Sequence, residues 1–214
     1  LAQIEQAKSY GRAWWEESQF QSLNHGDWYR YFSLEDAAER VTVHSGTYVP
    51  GLLQTREYVE ALAAFGQKNE SAEQREAFVE ARLRRQEILT RRDPVVLDAL
   101  CVESALRAVV GGREVMRRQL QHLLTEVQRQ NINLRVVPFE AGAPSISGYS
   151  ITIMDFPGAD IRSAVAQDVI GGHTITDDPV QVRWSRRQLT ERARHALNQE
   201  QTIQRIEEIE KELR

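Results

Sequence analysis

Val95-Val96-Leu97-Asp98-Ala99-Leu100-Cys101-Val102 is an apolar run broken only by Asp98 and bounded by Pro94 and Glu103. Its length suits a buried strand better than a helix. Moving toward the C-terminus, a short helical piece from Ser104 to Val110 ends at Gly111-Gly112. Val115, Met116, Leu120, Leu123, Leu124 and Val127 then recur at helical spacing and predict an amphipathic helix. Ile132 to Pro138 is strand-like again. Strand, helix and strand make a crossover of βαβ length, so these two strands are expected to run parallel. Two further strand-like runs, Tyr149 to Phe156 and Ser163 to Ile170, follow loops at Gly142-Ala143-Pro144 and Pro157-Gly158, and Gly171-Gly172 ends the set. Connections that short suit antiparallel pairing.

Toward the N-terminus, Val41 to Ser45 alternates apolar and polar residues and reads as a short strand. Before it, Ile4, Ala7, Gly11, Trp14 and Ser18 form a helical stripe. The aromatic patch Trp28-Tyr29-Arg30-Tyr31-Phe32 precedes a capping-box pattern at Ser33 and Asp36, with Leu34, Ala37, Ala38 and Val41 as the apolar face of the predicted helix. Thr55 is placed to cap a helix ended by Gly66, and Ser71 with Gln74 opens a long helix running to about Arg92. Asp177-Asp178-Pro179 starts a further helix. Asn198 divides it from the last one, in which Ile203, Ile206, Ile209 and Leu213 share a face. The fold expected is α+β: one mixed, mainly antiparallel sheet of four to five strands covered by helices. A single domain spans residues 1–214, with a linker helix over 1–20, the α+β body over 21–198 and a C-terminal helix over 199–214.

The 214 residues carry 27 Lys+Arg against 31 Asp+Glu, a formal charge of -4, and 41% are hydrophobic. That balance is globular, and it gives no global attraction for nucleic-acid phosphates or anionic lipid. The single Cys101 excludes an internal disulfide framework and every multi-cysteine metal site. With no apolar run of membrane-spanning length and no signal peptide, a cytoplasmic protein is expected.

The five histidines show no metal-ligand spacing, the glycine pairs lack both dinucleotide and Walker patterns, and Ser145 and Ser147 are not in a nucleophile elbow. No metal, cofactor or catalytic residue is assigned. What stands out is polarity on apolar faces. Gln86 shares a stripe with Val79 and Leu83, Arg85 lies beside it, Gln119 sits between Met116, Leu120 and Leu123, and Glu103 follows directly on a buried strand. Enclosed polar groups must be partnered. Either they satisfy one another, for example Arg85 with Glu103, or they line a ligand cavity. In the cavity case, Gln119→Leu is expected to leave stability near wild type or raise it while weakening the effector response; in the network case it destabilises strongly.

Tyr48-Val49-Pro50-Gly51-Leu52-Leu53-Gln54-Thr55-x-x-Tyr58 resembles the V-P-G-L-L-Q-T-x-x-Y signature in the C-terminal domain of actinobacterial xenobiotic-response-element-type helix-turn-helix regulators, an antitoxin-like group. Arg85-Gln86, Glu103-Ser104-Ala105-Leu106, Val110-Gly111-Gly112 with Met116 and Gln119-Leu120, and Val136-Val137-Pro138 match further segments in order. Gly11-Arg12-Ala13-Trp14-Trp15 is similar to the linker helix that follows the DNA-binding module. Relatives carry a Y-x-E on the last strand, where this chain has Ala166-Gln167-Asp168. They also carry an N-terminal helix-turn-helix that is absent here, so the expectation is a C-terminal fragment or a member lacking that module.

The resemblance implies a role in transcriptional control. The first expectation is a regulatory domain that binds a small-molecule effector or a small cognate protein and passes that state to an attached DNA-binding domain. Its pocket would draw on Arg85, Gln86, Glu103, Gln119, Tyr48 and Gln54. DNA would be contacted only through the missing module, and no membrane contact is expected. The alternative is a dimerisation or protein-interaction domain without a pocket, in which the Ile203, Ile206, Ile209, Leu213 face with Trp15 and Trp28 meets another chain, such as a second copy. An enzyme using Glu103 as acid or base near Arg85 is the weakest reading, because nothing supplies a nucleophile or metal.

Overall fold

The structure, a computed structural model, describes residues 13–23, 27–66, 70–158, 160–169 and 172–214. Six strands form one sheet: β1 (Arg40–Ser45), β2 (Val96–Val102), β3 (Ile132–Val137), β4 (Ile151–Asp155), β5 (Ala164–Val169) and β6 (Gly172–Thr176). Their order is β3-β2-β1-β4-β5-β6. The pairs β1–β2 and β2–β3 are parallel, while β1–β4, β4–β5 and β5–β6 are antiparallel. The fold is thus α+β with one mixed, mainly antiparallel sheet, as expected, with more strands than the four to five expected. The crossover read from the sequence joins β2 to β3 through α4 (Glu103–Arg107) and α5 (Arg113–Glu126).

The strand left out of the sequence reading is β6. Gly171-Gly172 reads as a terminator, yet Gly172 pairs with Val169, and His173-Thr174-Ile175-Thr176 continues the ladder along β5. The β-branched content of those residues suits a pleated surface.

Three further helices lie N-terminal to β2: α1 (Trp28–Ala37), α2 (Arg56–Gly66) and α3 (Ala72–Arg84), the last running into a 3-10 turn over Arg85–Leu89. Thr55 caps α2, its Oγ1 accepting the Tyr58 N–H at 3.3 Å. The Ser71–Gln74 capping box opens α3. Against expectation, α1 begins before Ser33, which lies inside it, and it ends at Ala37, so Val41 belongs to β1 instead. The Ile4–Ser18 stripe falls largely on residues 1–12, outside the described residues; Trp14–Glu16 and Ser18–Leu23 form 3-10 turns. Two helices close the chain, α6 (Pro179–Ala193) and α7 (Gln199–Glu212).

Pleating divides the sheet into two unlike faces. One cross-strand row, Ile132–Leu97–Val41–Met154–Ala164, is wholly apolar and buried in the main core. The next row, on the opposite face, is Asn133–Asp98–Thr42–Ile153–Val165: polar toward β3, apolar toward β5. Over that second face lies α6, resting on a small separate cluster of Ile151, Ile153, Val165 and its own Leu189.

The face of α7 expected to meet another chain is used internally. Ile206 and Ile209 are buried in the main core, with Ile203 and Leu213 packed against it. Thr202 Oγ1 accepts the Val136 N–H at 3.2 Å, and the Leu197 N–H reaches the Val136 carbonyl at 2.8 Å, so this segment closes the outer edge of β3. Trp15 is likewise buried, and Trp28 half-buried.

Candidate functional site

The signature segment folds as a turn between β1 and α2, and its backbone polar groups would be orphaned without help. Four side chains supply it. Gln54 Nε2 donates to the Val49 carbonyl at 2.7 Å, and Tyr58 OH accepts the Val49 N–H at 3.3 Å. Gln86 Nε2 donates to the Gln54 carbonyl at 2.7 Å. Gln119, fully buried, donates to the Leu53 carbonyl at 2.7 Å and accepts the Thr55 N–H at 2.7 Å. Both ends of its amide are therefore matched, which explains a glutamine on the apolar face of α5.

Beside this turn lies a charged group. Arg85 Nε and Nη2 donate to the two oxygens of Glu35 at 2.7 and 2.8 Å, a buried bidentate pair. Its partner is Glu35 of α1, not the Glu103 that the sequence suggested. Tyr31 OH donates to Glu35 at 3.1 Å, and burial, then the Glu35 charge, push the phenol upward. Arg82 donates to Gln54 Oε1 at 3.3 Å and lies 4.8 Å over the Phe78 ring; burial, then the neighbouring Arg85 charge, bring its guanidinium down to about 10. His173 stacks on Tyr31 with centroids 4.1 Å apart, and its Nδ1 lies 3.1 Å from Asp168, the carboxylate of the departing Ala166-Gln167-Asp168 segment.

The structure therefore brings Gln54, Arg85, Gln86 and Gln119 together around one turn and leaves the other two candidates elsewhere. Glu103, 1% exposed, accepts from Arg107 Nε at 2.7 Å, from the Phe139 N–H at 3.1 Å and from Arg205. Tyr48 projects its ring outward, and its carbonyl accepts the Ser45 hydroxyl.

The open space is on the other side of the sheet. Between α6 and the second face runs a cleft of about 290 Å3. Its floor is Thr42, Leu100 and Ile153, and its roof is Leu189, Thr190 and Ala193. Polar groups stand at its margins. Asp98 accepts from Arg40 and, at 3.2 Å, from Asn133. Arg186 holds Asp155 and donates to Ser163 Oγ at 2.8 Å. Arg135 donates Nε to the Leu197 carbonyl at 3.0 Å and Nη2 to those of Ala193 and Ala196 at 2.8 and 3.1 Å, capping the end of α6. A larger depression of about 710 Å3 beside Ser18, Ser22, Glu73 and Glu80 offers Ala77 as its one apolar wall residue.

A family model described as "Domain of unknown function (DUF5753)" matches residues 28–208. The chain belongs to the DUF5753 family. No curated protein and no solved structure matches it. The DUF5753 match takes in the signature turn and most of α7. Among the described residues of this DUF5753 member, no helix is long and apolar enough to cross a membrane, and no group of three or more His, Cys, Asp or Glu is placed to hold a metal ion.

Sequence reasoning missed Glu35 and the cleft. Glu35 sits one residue from Leu34 in a helix rich in aromatics, and that neighbourhood was the available sign of a buried carboxylate. The cleft combines residues from five elements, and no local spacing announces it.

Proposed function

We propose that this chain is the regulatory domain of an actinobacterial xenobiotic-response-element-type helix-turn-helix regulator, and that the cleft beneath α6 is its receptor site. Membership of the DUF5753 family and the ordered motif matches support the class. The observation that carries the reading is the separate seating of α6. Its buried residues are Ser185 and Leu189, against five buried positions in α5, and a cleft opens beneath it. A ligand that favours one position of such a helix biases a two-state element, which is the physical requirement for a regulatory response.

A protein partner is the second reading, and the outer face of the same helix favours it. Trp184 is 50% and Val180 60% exposed there, beside the exposed Arg183 and Arg187. Exposed aromatic and arginine side chains are typical anchors of interfaces.

The test joins the chain behind a helix-turn-helix module that represses a reporter. Thr190→Trp, which fills the cleft from its exposed rim, and Trp184→Ala are compared with wild type. Altered reporter output from the first supports the receptor reading, and from the second alone the partner reading. Output unchanged by both, at equal protein level, rejects a regulatory role for α6.

A further inference from the structure

The cleft beneath α6 has a chemistry that selects among ligands. We infer that it binds a small amphipathic organic anion, a monocarboxylate with an unbranched or flat apolar body. This rests on the reading of the cleft as a receptor site and goes further by naming the ligand class.

Size comes first. About 290 Å3 lies at the small end of ligand sites and admits roughly ten to fifteen non-hydrogen atoms. The walls come second. Leu100 and Ile153 below, with Leu189 and Ala193 above, give the cleft an apolar strip between sheet and helix, with polar residues at its margins. That geometry accepts an extended chain or a single ring and rewards burial of its surface.

Charge decides the head group. The charged residues lining the cleft are Asp98, Arg135 and Arg186. Asp98 is neutralised by Arg40, and Arg186 by Asp155. Among the described residues Arg135 faces no carboxylate and its Nη1 has no acceptor; its Nε and Nη2 donate to carbonyls at and just beyond the end of α6. The carbonyl dipoles at the helix end take up part of that charge but do not cancel it. One unmatched guanidinium at the margin of an apolar strip is complementary to one anionic group. Thr42 and Thr190, at the floor and roof, provide hydroxyls for a second oxygen.

The experiment uses the full chain at pH 7.5 and fixed ionic strength, with octanoate, octanamide and octylammonium as matched probes at millimolar concentration. Octanoate is expected to raise the melting temperature by about 2 °C or more, with octanamide reaching less than half of that and octylammonium giving no rise. Thr190→Trp should abolish the octanoate shift. Arg135→Gln should bring octanoate down to the octanamide level; if that variant fails to fold, because Arg135 also caps α6, the probe comparison and Thr190→Trp carry the test. Equal shifts with octanoate and octanamide, an octanoate shift that survives Thr190→Trp, or no shift with any probe overturns the inference. Such a failure leaves the reporter result standing, since the reporter test uses no added ligand.

Discussion

Gln119 carries no charge and reaches no solvent, yet it bridges the Leu53 carbonyl and the Thr55 N–H across the signature turn. Replacing it with leucine leaves the buried Leu53 carbonyl and the part-buried Thr55 N–H unmatched, at about 1–3 kcal/mol each with the second toward the low end. Gln119→Leu is therefore expected to lower unfolding free energy in urea by roughly 2–5 kcal/mol; a change near zero would mean that the turn finds other partners. His44 makes a second prediction. It is fully buried in β1, with Nδ1 3.2 Å from the Leu100 carbonyl and Nε2 2.9 Å from Ser147 Oγ, and with Tyr149 and Arg192 close by. Burial, then the Arg192 charge, depress its imidazole to about 4. Below an unfolded value near 6.5 the unfolded chain binds the extra proton first, so stability is complete above about pH 6.5 and falls as pH drops toward 4. The expected loss is about 3 kcal/mol across that window. A His44→Gln variant should lose this component of the pH dependence, and an unchanged slope in urea titrations would contradict the assignment. His122, depressed mainly by burial, adds in the same direction.

At the scale of elements, α5 and α6 are built differently. Met116, Leu120 and Leu123 anchor α5 in the main core, whereas Leu189 holds α6 on a cluster of four buried residues. Leu123→Ala is expected to cost roughly 4 kcal/mol and Leu189→Ala roughly 2, measured by urea unfolding. Equal costs would place both helices in one cooperative core. The same contrast sets what could be read beforehand. The capping box at Ser71, the division of the last two helices at Asn198, the βαβ crossover and the strand runs are local patterns, and they match the structure within a few residues. The start of α1 differs from the sequence reading because Ser33-x-x-Asp36 imitates a cap inside a helix. β6 is not legible in the sequence because paired glycines read as a stop. The polar residues were legible as enclosed groups, but not their partners: Arg85 lies 50 positions from Glu35, and Gln119 66 positions from Leu53, distances that only the fold closes.

For the whole molecule, the polar residues that drew attention in the sequence hold the frame, and the space for a ligand lies on the opposite side of the sheet. The signature turn, with Gln54, Gln86 and Gln119, ties the start of α2, the 3-10 turn that ends α3, and α5 into one unit. The second sheet face turns from apolar to polar along a single row, so α6 covers one half closely and bridges the other. Residue-level hydrogen–deuterium exchange on the full chain tests this division most directly. Amides of residues 182–193 should exchange through an opening of clearly lower free energy than those of residues 117–126, whose exchange should require global unfolding. Identical opening free energies in the two helices would contradict the account, because α6 would then be as firmly seated as the core and unable to respond on its own.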